Sequence, residues 1–187
     1  MRIVAGKLKG RAIVAPEGLG TRPTSDRARQ AMFNVLEHAA WAEPLAGLRI
    51  IDLYAGSGAL GFEAMSRGAV FCLFVETDEA ARGAIRENAD AYGLMGATRV
   101  HRRSATDLGS RPGSDGEAFD MAFLDPPYRQ GLAEQTLARL LEGNWLKAGA
   151  LVIVERGSDE PEIETPGYDR LDTRDYGAAR VMFLKRQ

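Results

Sequence analysis

Apolar residues follow a leading arginine in two short runs near the start of the chain, residues 2–5 and 11–14, on either side of the stretch Gly6-Lys7-Leu8-Lys9-Gly10. Two short strand-like runs about such a Gly- and Lys-rich turn predict a β-hairpin. Glycines and prolines interrupt the pattern over residues 16–23, which read as a loop. Beyond it Ala28, Ala31, Met32, Val35, Leu36 and Ala39 recur at helical spacing. Thr24 or Ser25 can cap that helix, which runs to about residue 40. From residue 49 the pattern alternates between strand and helix. Strands are predicted at residues 49–54, 70–76, 98–103, 119–124 and 150–155, helices at 59–67, 79–92 and 132–141, and a polar loop at 104–118. Two more strand-like runs, near 168–173 and 180–184, are joined by a short turn at 175–179. Strands joined through helices must run parallel, covered on both faces by right-handed crossovers, whereas strands joined by a short turn pair antiparallel. The expected fold is α/β: a mostly parallel seven-stranded sheet with an antiparallel C-terminal hairpin and a small N-terminal β-hairpin extension. The extension takes residues 1–40 and the main domain 41–187.

Composition removes several classes. The 187 residues, 45% hydrophobic and 27% charged, suffice for one buried core without staples. The single cysteine, Cys72, excludes a disulfide framework and a Cys-based zinc site, and reads as core. His38 and His101 lie far apart, and no metal is expected. No run approaches the roughly 18 apolar residues of a membrane span. The first seven residues leave no room for the apolar core of a signal peptide, so a cytoplasmic protein is expected.

Charge adds an asymmetry. Overall 24 Lys and Arg face 26 Asp and Glu, a net of −2. Residues 1–30 alone hold seven basic residues (Arg2, Lys7, Lys9, Arg11, Arg22, Arg27, Arg29) against Glu17 and Asp26, a net of +5, which leaves −7 for the rest. A basic arm on an acidic body fits a nucleic-acid binder, and it also fits a solvated hairpin with charged outer faces.

The first strand of the alternating series runs into Asp52-Leu53-Tyr54-Ala55-Gly56-Ser57-Gly58-Ala59-Leu60-Gly61. Gly56, Gly58 and Gly61 satisfy G-x-G-x-x-G between strand and helix, where glycines permit a tight turn and a ligand can meet free helix N–H groups. Glu76 ends the second strand 20 residues after Gly56, where a carboxylate can accept both hydroxyls of a ribose. These features point to a nucleoside ligand and leave a nicotinamide-dependent oxidoreductase open. Asp52 turns the reading away from it. A carboxylate would repel a pyrophosphate but attract the ammonium and sulfonium of S-adenosylmethionine. Asp-x-x-x-Gly-x-Gly followed by a ribose-binding acid resembles the cofactor site of class I methyltransferases.

Asp125-Pro126-Pro127-Tyr128 follows the fourth strand, at an end that should border the ligand crevice. Two prolines stiffen the backbone, so the Asp125 carboxylate and the Pro126 carbonyl can be held as two acceptors aimed at one spot. An exocyclic amine on a nucleobase needs such a pair, because its lone pair is delocalised into the ring. Tyr128 offers a face on which an unstacked base can rest. This acceptor loop resembles that of amino-methyltransferases acting on adenine N6, guanine N2 or glutamine amide. Ser104, Ala105 and Thr106 lie where the cofactor's adenine should sit, with Asp107 either reaching its amine or simply solvated. Arg129 can touch phosphate or stay solvated. His38 reads as a helix-end residue, His101 has no evident partner, and Trp41 and Trp145 read as core.

The N-terminal segments Met1-Arg2-Ile3-Val4-Ala5-Gly6-Lys7-x-x-Gly10-Arg11, Arg22-Pro23-Thr24-Ser25-Asp26-Arg27-x-Arg29 and Phe33-Asn34-Val35-Leu36 resemble the RsmD family of bacterial 16S rRNA guanine-N2 methyltransferases. The glycine loop, Val75-Glu76 and Asp125-Pro126-Pro127-Tyr128 match the same pattern, so the resemblance covers nearly the whole chain. It implies S-adenosylmethionine as cofactor, held by Asp52, Tyr54, Ala55, Gly56, Ser57, Gly58, Gly61, Glu76, Thr77, Ala105 and Asp125. It implies catalysis by Asp125, Pro126, Pro127 and Tyr128. It implies 16S rRNA in a small-subunit assembly intermediate as partner, met by Arg2, Lys7, Lys9, Arg11, Arg22 and Arg27, with the stretch 22–29 facing RNA and part of it closing over the cofactor, and the protein acting as a monomer. The alternatives are an adenine-N6 or glutamine-amide methyltransferase and a non-catalytic RNA-binding assembly factor; the intact acceptor loop speaks against the last.

Overall fold

The computed structural model describes residues 1–17 and 25–187. The strands are β1 (Arg49–Leu53), β2 (Phe71–Val75), β3 (Thr98–His101), β4 (Phe119–Leu124), β5 (Leu146–Gly157), β6 (Tyr168–Tyr176) and β7 (Ala179–Arg186). They form one sheet in the order β3-β2-β1-β4-β5-β7-β6. The first five are parallel, and β7 pairs antiparallel with both β5 and β6. The helices are α1 (Asp26–His38), α2 (Ala59–Ser66), α3 (Glu79–Ala91) and α4 (Leu132–Glu142).

The expected alternation of elements is present, and its apolar periods explain the layers. Ile50, Cys72, Phe74, Met121 and Phe123 bury one sheet face against α1, α2 and α3. Ile51, Leu53, Leu73, Val75, Ala122 and Leu124 bury the other, where Leu137 and Leu140 of α4 pack. Ser25 caps α1, its Oγ accepting from the Ala28 N–H at 3.1 Å. Strand β5 starts four residues before the predicted 150, because it resumes pairing after an irregularity opposite Phe119–Met121 where Gly149 takes a φ of +77°. Strand β3 stops at His101 rather than continuing to 103.

The N-terminal hairpin differs most from expectation. Only one antiparallel bridge, Arg2 to Ala12, replaces two full strands. Beyond Ile3 the backbone donors turn away from the opposite run. The Val4 N–H goes to Glu63 Oε1 at 2.9 Å, the Lys7 N–H to the Ser66 carbonyl and the Leu8 N–H to Ser66 Oγ, both at 2.9 Å. The hairpin keeps backbone bonds of its own, from the N–H groups of Ile3, Gly10 and Ile13 to the carbonyls of Arg11, Ile3 and Met1, and is also fastened to α2; Ile3 and Ile13 sit in the same core cluster as Phe33 and Phe123. Each such burial contributes roughly 1.5–3 kcal/mol.

Candidate active site

The strand order reverses between β1 and β4, so the crevice for a ligand lies at their carboxyl ends. Three carboxylates gather there. Asp52 is 1% exposed, and its Oδ2 accepts the Gly61 N–H at 3.0 Å. Burial pushes its pKa well up, the Gly61 bond opposes the rise, and the charges of Asp125 and Glu76 add to it. Glu76 Oε2 accepts the Gly56 N–H at 2.8 Å and its Oε1 the Asp78 N–H at 3.0 Å. Asp125 lies against the end of β1, its N–H directed to the Leu53 carbonyl at 3.4 Å. The cleft concentrates negative charge around a buried acid. Asp52 sits behind the glycine loop, fastened to the first turns of α2 by the Gly61 N–H.

The glycines divide their work. At Gly56, with φ +57°, an added Cβ would meet nothing, so this backbone stays open to a ligand. At Gly61 a Cβ would lie 2.4 Å from the Phe74 ring and 2.7 Å from Cys72 Sγ, so that glycine exists for close helix–strand packing. Tyr54 holds a φ of +60° that a non-glycine residue adopts only at a cost of about 1–3 kcal/mol, and its hydroxyl lies 2.7 Å from Thr136 Oγ1 on α4. Ala55 is half-buried, its N–H on the Val75 carbonyl at 3.2 Å. Ser57 is nearly buried, and Gly58 begins α2 at φ +84°. Thr77 is exposed.

Pro126 is buried, Pro127 exposed and Tyr128 half-buried. The Tyr128 hydroxyl donates to Glu155 Oε1 at 2.9 Å, and Glu155 is only 6% exposed. This anchor escaped the sequence reading; the signal was an acid near the carboxyl end of β5, the strand beside β4. The next residue, Arg129, takes a φ of +62°, donates its N–H to Glu160 Oε1 at 2.7 Å and pairs with Asp159. That pairing holds the Asp159 carboxyl below its ordinary range. Arg129 is therefore engaged by the 159–160 segment, which brackets the acceptor loop.

Around the expected adenine region, Ala105 is buried, Ser104 Oγ lies 2.9 Å from Thr106 Oγ1, and Asp107 is exposed. His101 does have a neighbour, Asp115, at 3.5 Å, and burial nonetheless lowers its pKa. Trp145 is fully buried and its indole donates to the Gly109 carbonyl at 2.9 Å, while Trp41 packs on Phe183. Cys72 is buried core.

In the basic arm Arg2, Lys7, Lys9, Arg11 and Arg27 are exposed, and Arg22 lies outside the described residues. Arg2 donates to the Gly10 carbonyl at 2.7 Å, and Arg11 to the Ala91 carbonyl at 2.5 Å. Within the stretch 22–29, expected to face RNA, residues 22–24 lie outside the described ones, and Arg29 departs from the expectation. It is fully buried, 3.0 Å from Asp26 and 3.5 Å from Glu63, and it also donates to the Arg2 carbonyl. A cation so placed pairs with Glu63 and fastens the arm. Among the described residues no group of three or more His, Cys, Asp or Glu is arranged to hold a metal ion, and no helix is long and apolar enough to cross a membrane.

Sheet order, closing antiparallel pair and cleft position together define the class I methyltransferase fold. A ribosomal protein L11 methylase from Lactobacillus delbrueckii shares it at a TM-score of 0.65 and 17% identity, over 87% of this chain and 80% of its own. The chain belongs to the RsmD family: the family model described as "Conserved hypothetical protein 95" matches residues 1–185. It is 35% identical over 179 residues to the Ribosomal RNA small subunit methyltransferase D of Haemophilus influenzae, covering 95% of this chain and 89% of the relative. The solved structure of yhhF from Escherichia coli superposes with a TM-score of 0.85 at 30% identity, over 100% of this chain and 98% of its own.

Proposed function

We propose that this protein transfers a methyl group from S-adenosylmethionine to the exocyclic N2 amine of a guanine in 16S rRNA, within a small-subunit assembly intermediate. The observation that carries the reading is the stiff Asp125–Tyr128 loop, set at the switch point beside a buried acid and a second carboxylate. The relatives named for rRNA methylation supply the nucleic-acid class.

The residues fit the cofactor. Asp52, Glu76 and Asp125 place negative charge around one cleft, which suits a ligand with two cationic centres and no phosphate. Glu76 still has lone pairs for a ribose diol beyond its bonds to Gly56 and Asp78. Open backbone at Gly56 permits close approach. When bound, S-adenosylmethionine supplies an electrophilic methyl that departs from sulfur with the carbon–sulfur bond's electrons left behind.

The chain's own groups prepare the other reactant. The Asp125 carboxylate and the Pro126 carbonyl accept the two N–H groups of the guanine amine, which turns its lone pair toward the methyl and returns electron density to nitrogen. Tyr128 stacks on the extruded base, worth roughly 1–3 kcal/mol, and Glu155 holds the Tyr128 hydroxyl so that the ring is set beforehand. Held in this way, the amine nitrogen would take the methyl while sulfur keeps the electrons of the broken bond, and the surplus N–H proton would pass to solvent. Alignment supplies most of the acceleration. The arm's exposed Lys7 and Lys9 meet RNA phosphates.

Thermal shift with S-adenosylhomocysteine and with NAD, followed by methyl-label transfer to RNA, tests the reading. Stabilisation by S-adenosylhomocysteine with label in RNA is expected. Stabilisation by NAD alone would move the protein to another reaction class.

A further inference from the structure

One side chain of α3 joins the basic arm to the glycine loop. Asn88, in the middle of α3, is 1% exposed. Its Oδ1 accepts the Val14 N–H at 2.8 Å, and its Nδ2 donates to the Val14 carbonyl at 2.9 Å and to the Ser57 carbonyl at 3.1 Å. The carboxamide thus behaves toward Val14 as a neighbouring strand would, while its remaining proton fixes the residue between Gly56 and Gly58. The same helix holds the arm twice more, through the Tyr92 hydroxyl on the Ala12 carbonyl at 2.6 Å and Arg11 on the Ala91 carbonyl. At its other end its cap, Asp78, donates its N–H to Glu76. Helix α3 is therefore a rigid bar touching the arm, the glycine loop and the acid after β2. Among the described residues, Asn88 is the side chain that bonds arm and glycine loop at once.

We infer that Asn88 is a positioning residue that couples the two binding events: RNA held by the arm tightens the cofactor site through Ser57, and cofactor tightens RNA by the same factor. This rests on the reading that the arm meets RNA and the glycine loop meets cofactor. Such linkage is reciprocal, because both ligands act on one equilibrium. A purely structural Asn88 would change stability and both affinities without changing how one ligand affects the other.

The experiment measures labelled S-adenosylhomocysteine binding by equilibrium dialysis, alone and with saturating small-subunit particles from cells lacking the enzyme. Wild type should bind at least about fivefold tighter with particles present. Asn88→Ala should bind both ligands with that ratio reduced to near one. Asn88→Asp keeps the shape and the acceptor for Val14 but sets an oxygen against both carbonyls, and it should lose the ratio likewise; it serves if the alanine variant fails to fold. Tyr92→Phe loosens the arm without touching Ser57 and should keep the ratio. A full ratio in a folded Asn88 variant, or a ratio of one in wild type that binds both ligands, overturns the inference. Wild type that binds no S-adenosylhomocysteine, or no particle, overturns instead the reading on which it rests.

Discussion

A buried carboxylate surrounded by two others costs stability until a cation arrives, and Asp52 is in that position. Its folded pKa lies well above the ordinary 3.8, so its contribution to the stability of the unliganded protein is whole below that value. The contribution is lost as pH rises through the raised one. Asp52→Asn keeps an oxygen for the Gly61 N–H and removes the charge. At about pH 8 the unliganded variant should melt above wild type by roughly 2–4 °C, a shift that corresponds to about 1 kcal/mol in a chain this long. Its affinity for S-adenosylmethionine should fall at least about tenfold, since one charge near a cation is worth a few kcal/mol in a partly screened site. Calorimetry with and without ligand checks both. Asp125→Ala should still bind cofactor, though more weakly, and lose turnover at saturating cofactor by about 100-fold or more, the usual cost of removing one preorganised hydrogen-bond partner; unchanged single-turnover rates would remove Asp125 from the chemistry. Asp52, Glu76 and Asp125 were legible because each ends or follows an apolar run. Glu155, Asn88 and Arg29 were not, since their meaning depends on Tyr128, Ser57 and Glu63, residues 27, 31 and 34 positions away.

At the scale of elements, the arm's attachment rests on α2 and α3. Glu63 is fully buried between Arg29 and Arg67, at 3.5 and 3.8 Å, and accepts the Val4 N–H. Glu63→Ala leaves Arg29 buried without that partner and frees the Val4 donor, so it should cost about 3–5 kcal/mol in denaturant unfolding. It should also expose the arm to limited proteolysis; wild-type stability would show that the arm is held by its apolar residues alone. The strand–helix series was legible from period alone, and Phe119–Leu124 appears with the bounds its apolar run predicts. The two-stranded N-terminal hairpin was not, because a short apolar run reports which side chains can be buried. It says nothing about whether Val4 and Lys7 donate across the hairpin or to Glu63 and Ser66. The early start of β5 escaped for a related reason: an irregularity opposite Phe119–Met121 interrupts its pairing and blurs the period.

For the whole molecule, the +5 arm on a −7 body becomes an exposed basic hairpin bonded to the helices that follow the glycine loop and Glu76. Lys7→Glu with Lys9→Glu leaves the Glu63, Ser66 and Asn88 side-chain attachments in place. It should weaken particle binding and reduce the slope of log affinity against log salt by roughly 1.5, close to 0.7–0.9 for each phosphate no longer neutralised. An unchanged slope would make the arm a solvated hairpin. The central claim, methyl transfer to a guanine amine, is tested most directly by labelled S-adenosylmethionine and small-subunit particles from cells lacking the enzyme, with naked 16S rRNA alongside and digestion to nucleosides. The account predicts label in N2-methylguanosine, absent with Asp125→Ala. Label in N6-methyladenosine, or no label in RNA while cofactor binds, would contradict it.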